Sequence, residues 1–109
     1  MSVGRRPVTK GFGLENLNLE WTERRCIKVD EHLQSSVPGV YVCGDLNGVS
    51  LLAHTAVREA EVAVHHIIGK EDAMSYRAIP GVVYTNPEIG GVGMSEECFA
   101  GRRYSLSSR

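Results

Sequence analysis

Only three cysteines, Cys26, Cys43 and Cys98, occur in this 109-residue chain, and no two of them form a Cys-x-x-Cys or Cys-x-x-x-x-Cys pair. An odd count at wide spacing argues against a disulfide framework and supplies neither a redox dithiol nor a zinc site. Reduced thiols with a packing role are expected; Cys43, inside an apolar run, should be a small core residue with a raised pKa. A Gly-x-Gly-x-x-Gly turn is also missing, so the chain carries no standard pyrophosphate cradle. Without a Gly-x-Ser-x-Gly elbow, a Ser-His-Asp hydrolase is set aside. The four histidines offer no metal-ligand spacing, because His65 and His66 are adjacent and diverge on a helix; solvent-facing histidines are expected. No apolar run approaches a membrane span, and Met1 to Arg6 lacks the apolar segment of a signal peptide, which makes the expected location cytoplasmic, with no membrane partner. Lys and Arg number 12 against 13 Asp and Glu, a net charge of -1 that gives no footprint for nucleic acid.

What is present is enough apolar material for a small core. At 42% hydrophobic residues, the chain would bury roughly 65% of its unfolded surface if it closed into one body. The clearest strand is Val40-Tyr41-Val42-Cys43, which follows the turn-forming Ser35-Ser36-Val37-Pro38-Gly39 and ends in Gly44-Asp45. Cys26 to Val29 alternates like a strand, and Leu14, Leu17 and Leu19 suggest a brief helical turn. The best helix runs from about Ser50 to Ile68. Leu52, Ala56, Ala60, Ala63 and Ile67 mark its buried face, His54, Thr55, Arg58, Glu59, Glu61, His65 and His66 fill the other side, and Gly69 stands where a helix end favours left-handed backbone. Lys70 to Tyr76 reads as a polar linker, with a domain boundary near Met74. A second strand is expected over Ile79 to Tyr84, a turn at Thr85 to Glu88, a strand end at Gly90 to Gly93 and a capped helix start at Ser95-Glu96-Glu97.

The chemistry centres on Gly44-Asp45. Gly44 lets a ligand or a neighbouring strand lie against the backbone, and Asp45 offers two acceptor oxygens at the carboxyl end of a strand, suited to sugar-like hydroxyls. A helix starting near Ser50 would aim its N-H groups and positive dipole end at the same place, where they would stabilise the negative charge of a reduced flavin ring. The alternative is an ordinary turn in which Asp45 is a local cap.

Gly4-Arg5-Arg6-Pro7, Val37 to Asp45, Leu52-Ala53-His54 and Val83-Tyr84-Thr85-Asn86-Pro87-Glu88, in this order and spacing, resemble the dihydrolipoamide dehydrogenases among the flavin-dependent pyridine-nucleotide disulfide oxidoreductases. The resemblance covers residues 1 to 97, and Leu-Ala-His after Gly-Asp sets the lipoamide enzymes apart from their glutathione- and mercury-reducing relatives. It implies an α/β fold. Residues 1-74 would be the C-terminal segment of the FAD/NAD(P)-binding region, and residues 75-109 the start of the α+β dimerisation domain. It further implies that Asp45 accepts the flavin ribityl hydroxyls with Gly44 beside it, that Leu52, Ala53 and His54 offer backbone groups to the flavin ring, and that Gly4 closes against NAD. A homodimer and a lipoyl-bearing partner protein follow from the same resemblance.

The disulfide, the pyrophosphate fingerprint and a His-Pro with a following Glu are missing, and the tail from Cys98 to Arg109 departs from the family pattern. The chain is therefore expected to be a C-terminal-half fragment of such an enzyme, supplying part of the FAD site and inactive alone. The alternative is a noncatalytic, self-associating remnant that binds no flavin, its unpaired strand edges joining between chains.

Overall fold

The computed structural model describes residues 4-95. The expected helix start continues through Glu96 and Glu97, which lie outside the described residues, as does the tail from Cys98 to Arg109. The chain forms two units, one ending at Met74 and the next beginning at Ser75.

The first unit is built on two small apolar clusters and one helix. Leu19, Ile27 and Val42 make the first cluster, covered by Leu14, Val37, Val40 and Leu46. Leu33, Val62 and Ala63 make the second, covered by Tyr41, Cys43 and Met74, and Val29 packs against both. Leu14-Asn16 is a single 3-10 turn, in keeping with the leucine spacing there. The alternating residues after Cys26 are extended but join no ladder: Trp21 bridges Ile27 and Val29 bridges Ser35, both antiparallel. Val40 to Cys43 likewise forms no multi-residue strand. Its pairing is a bridge between Gln34 and Tyr41, with the Val42 N-H donating to Leu33 O at 2.9 Å.

Helix α1 spans Ala53-Ile67, starting three residues later than its periodicity suggests. Its end follows the expected chemistry: Gly69 has φ 75, its N-H donates to His66 O at 3.1 Å, and Lys70 N-H donates to His65 O at 2.8 Å. These two bonds satisfy carbonyls that the last turn leaves open. The buried face differs from the expected one. It comprises Thr55, Glu59, Val62 and Ala63, whereas Ala60 and Ile67 are exposed. Polar partners make the shift affordable: Ser50 Oγ donates to Thr55 Oγ1 at 3.0 Å, and Glu59 accepts a backbone N-H.

The supposed linker after α1 is partly fixed. Met74 N-H donates to Glu31 O at 2.8 Å and its side chain covers the second cluster. Arg58 donates both guanidinium arms to the Asp72 carboxylate at 2.9 and 2.7 Å, and His65 Nδ1 lies 2.7 Å from it. The histidines also depart from expectation. His65 and His66 are half-buried; His66 stacks on His32 with ring centres 4.5 Å apart and shares a 2.8 Å hydrogen bond with the Tyr41 hydroxyl.

In the second unit, β1 (Gly81-Val83) and β2 (Ile89-Gly91) pair antiparallel, Gly81 opposite Gly91 and Val83 opposite Ile89. β1 falls within the strand expected over Ile79 to Tyr84, whereas β2 begins at Ile89, ahead of the strand end expected at Gly90 to Gly93 and overlapping it at Gly90-Gly91; the bend between them contains the Asn86-Pro87 peptide in the cis form.

Candidate functional site

The site forms where the extended segment ending at Cys43 meets α1. Cys43 has φ -121 and ψ 155, Gly44 turns to φ 73, and Gly44-Leu46 closes a 3-10 turn through the Asn47 N-H donating to Gly44 O at 3.1 Å. Left-handed backbone at that point favours glycine. The space beside Gly44 belongs to the helix: a Cβ there would lie 3.2 Å from Ala56 Cβ. The neighbour that the missing side chain admits is thus α1, rather than a ligand or a strand.

Glu59, one turn further along, has no solvent exposure. Its Oε2 accepts the Gly44 N-H at 2.5 Å, a charge-assisted bond in a dry setting. The turn carrying Asp45 is thereby fastened to α1. Burial pushes the Cys43 thiol upward from its ordinary pKa, and the Glu59 carboxylate adds to the effect. Cys43 and Cys26 are both free thiols, and Cys26 is buried.

Asp45 stands on the outer side of this fastening. Its side chain is exposed and, among the described residues, its carboxylate forms no hydrogen bond or ion pair, so it is not acting as a local cap. Leu52 enters α1 in extended conformation, φ -126 and ψ 132, and no side chain caps the helix. The first turn therefore keeps backbone donors and a positive dipole end uncompensated by a cap. Leu52 is half-buried, and Ala53 and His54 are exposed. Gly4 is exposed with φ 81, and its neighbour Arg5 donates through Nη2 to Leu51 O at 2.9 Å, drawing that segment to the approach of the helix.

The Gly44-Asp45 turn thus packs on α1 at Ala56 and Glu59, and Arg5, next to Gly4, bonds the chain just ahead of that helix at Leu51. The role of Glu59 was missed by periodicity, which placed it on the polar side. A signal was available: Glu59 follows Ala56 by three residues and precedes Ala63 by four, which puts it on the same close-packing face. Among the described residues, no group of histidine, cysteine, aspartate and glutamate could hold a metal ion, and no helix is long and apolar enough to cross a membrane.

The family model "Pyridine nucleotide-disulphide oxidoreductase" matches residues 1-60, and the chain belongs to that family. More particularly, it is 43% identical over 108 residues to dihydrolipoyl dehydrogenase 3 of Pseudomonas putida, covering 97% of this chain and 23% of that protein. It is 44% identical over 97 residues to dihydrolipoyl dehydrogenase of Thermus scotoductus, covering 89% of this chain and 21% of the relative. The chain therefore spans less than a quarter of these relatives' length. Among solved structures, LpdA of Mycobacterium tuberculosis superposes with a TM-score of 0.83 at 28% identity, over 94% of this chain and 22% of that one. A copper(II) complex of the flavoprotein disulfide reductase RclA from Escherichia coli also gives 0.83, at 23% identity, over 97% and 24%, and shows the fold alone. The α/β class read from the sequence agrees with these neighbours.

Proposed function

We propose that this chain supplies the flavin-anchoring segment of a dihydrolipoyl dehydrogenase. The observation that carries this reading is the unpartnered Asp45 carboxylate on a turn fastened to α1 beside that helix's uncapped start. The donor and acceptor set fits FAD: Asp45 would accept hydroxyls of the ribityl chain, and the first turn of α1, from Leu52 to His54, would face the electron-rich edge of the ring. A bound flavin supplies the redox chemistry, carrying electrons between a dithiol and NAD. The residues described here hold and orient it. Glu59 fixes the turn without touching the cofactor, and Gly4 would close toward the nicotinamide nucleotide. Family membership and the dihydrolipoyl dehydrogenase relatives support the assignment; lipoyl-bearing partners and a homodimer belong to the same proposal. Titration with FAD tests it, because Asp45→Ala should remove saturable binding.

A second reading, self-association without flavin, has its own observation. Val57, Val64, Ile67 and Ile68 are all more than half exposed, and their spacing lays them along one side of α1 and its C-terminal cap. Such a stripe suits a second helix. Concentration-dependent oligomers indifferent to FAD would favour it.

A further inference from the structure

Three histidines gather beside the segment from Lys70 to Met74. His32 stacks on His66 with 4.5 Å between ring centres and 5° between ring planes, and His65 precedes His66 in the last turn of α1. All three rings are half-buried. The flavin reading uses none of them.

Their partners define which ring nitrogens carry a proton. His32 Nδ1 lies 2.8 Å from Asp72 O, a carbonyl that only accepts, so this nitrogen carries hydrogen and donates. His66 Nδ1 lies 2.8 Å from the Tyr41 hydroxyl, whose oxygen accepts from Gln34 Nε2 at 3.3 Å and keeps its own hydrogen to point at His66. His66 Nδ1 is then an acceptor, which only a neutral ring provides. His65 Nδ1 donates to the Asp72 carboxylate at 2.7 Å, and its Nε2 lies 3.3 Å from the Lys70 ammonium.

A proton acts differently on each ring. A charged His32 still donates from Nδ1, its Nε2 lies 3.8 Å from the Glu31 carboxylate, and Asp30 engages its backbone N-H rather than the ring. A charged His65 also keeps its bond to Asp72, which favours the charge while Arg58 and Lys70 oppose it. A charged His66 is the exception. It loses the lone pair that Tyr41 bonds and sets a cation flat against the His32 ring, and among the described residues no carboxylate forms an ion pair with it.

These rings hold the cover of the second apolar cluster. His32 and His65 bind the carbonyl and the carboxylate of Asp72, and Met74 N-H donates to Glu31 O at 2.8 Å, next to His32. The Met74 side chain packs on the cluster of Leu33, Val62 and Ala63. Moving His32 off its stack therefore loosens both backbone bonds that seat Met74.

We propose that His66 is a proton-operated latch: charging it between about pH 8 and 5 parts the His32 stack and releases residues 70-74, with Met74, from the second cluster. The latched form excludes a proton that the released form binds, so latching is complete at the alkaline end of this range and is lost as the pH falls. The latch is independent of Asp45 and of flavin binding.

The test is hydrogen exchange at the Met74 amide of the full chain at pH 7.5 and 5.5, each rate divided by that of the urea-unfolded chain at the same pH, which cancels the intrinsic pH dependence. Met74 protection should fall about tenfold or more across this step, within the tenfold per pH unit that one linked proton drives. Amides in the middle of α1 should keep theirs, since the opening is local. His66→Gln retains an acceptor for Tyr41 and cannot charge, so its Met74 protection should be equal at both pH values. His32→Gln removes the facing ring and should shrink the step, which keeps the test open if His66→Gln misfolds. His65→Gln should retain the step. A wild-type step under about twofold, a step that survives in His66→Gln, a step lost only in His65→Gln, or an equal loss of protection through α1 would each overturn the proposal.

Discussion

The buried carboxylate of Glu59 accepts the backbone N-H of Gly44 at 2.5 Å, across fifteen residues of sequence. This bond joins the middle of α1 to the turn that presents Asp45. Replacing Glu59 with Ala leaves that N-H buried without a partner and opens a void, which should cost about 2 to 4 kcal/mol. Glu59→Gln keeps an acceptor and should lose about half as much, the charge-assisted part. Urea denaturation midpoints check the order. Equal loss from both variants would show that the hydrogen bond carries little of the effect.

Cys43 provides a spectator of the same contact. Burial first, and the Glu59 charge second, raise the thiol pKa and lower its thiolate fraction at neutral pH. Alkylation at Cys43, mapped by mass spectrometry, should be slower than for the urea-unfolded chain at pH 7.5. It should quicken in Glu59→Gln, where the like charge is gone. Cys43 is half-buried rather than the core residue its apolar run suggests, and rapid labelling of the native wild type would contradict that partial shielding.

Asp72 gives the pH dependence. The Arg58 guanidinium, and after it His65, hold the Asp72 carboxyl well below the usual carboxylate range. A depressed folded value contributes stability that is present above the unfolded pKa of about 3.9. That contribution is lost as the pH falls from about 4 toward the lower folded value. Asp72→Asn should therefore flatten the acid limb of a stability-against-pH curve measured by urea denaturation between pH 2 and 6. An unchanged slope would show that Asp72 is not held in this pairing in solution.

Two glycines should respond differently to alanine. At Gly48, with φ 72, an added Cβ would overlap the Cys26 side chain, whose Cβ lies 2.9 Å away. At Gly44, with φ 73, the nearest atom is Ala56 Cβ at 3.2 Å. Each substitution carries the left-handed backbone cost of about 1 to 2 kcal/mol. Gly48→Ala should lose clearly more stability than Gly44→Ala by thermal unfolding, because its clash is with a buried residue that has little room to move.

The helix and the Gly44-Asp45 turn were legible because each rests on local chemistry: apolar spacing over Leu52 to Ile68, a glycine where the helix ends, and Pro38-Gly39 before the extended run. What was illegible depends on partners distant in sequence. Glu59 reads as a solvent-facing helix residue until Gly44 is seen to need its carboxylate, and Thr55 until Ser50 is seen to bond it. Lys70 to Tyr76 reads as a linker by composition, although Arg58 and His65 clasp Asp72. Val40 to Cys43 has strand composition, yet within the described residues it forms a single bridge, Tyr41 to Gln34, flanked by bonds to Leu33 and Ser35, rather than a ladder.

The central claim is that Asp45 and the start of α1 anchor a flavin. It is tested most directly by titrating the purified chain with FAD, following flavin fluorescence and running size-exclusion chromatography on the same samples. The account predicts saturable binding that Asp45→Ala abolishes, with the fold of the variant intact by circular dichroism. Absence of saturable binding, or binding that Asp45→Ala leaves untouched, would contradict it, and FAD-indifferent oligomers in the same runs would move the assignment to self-association.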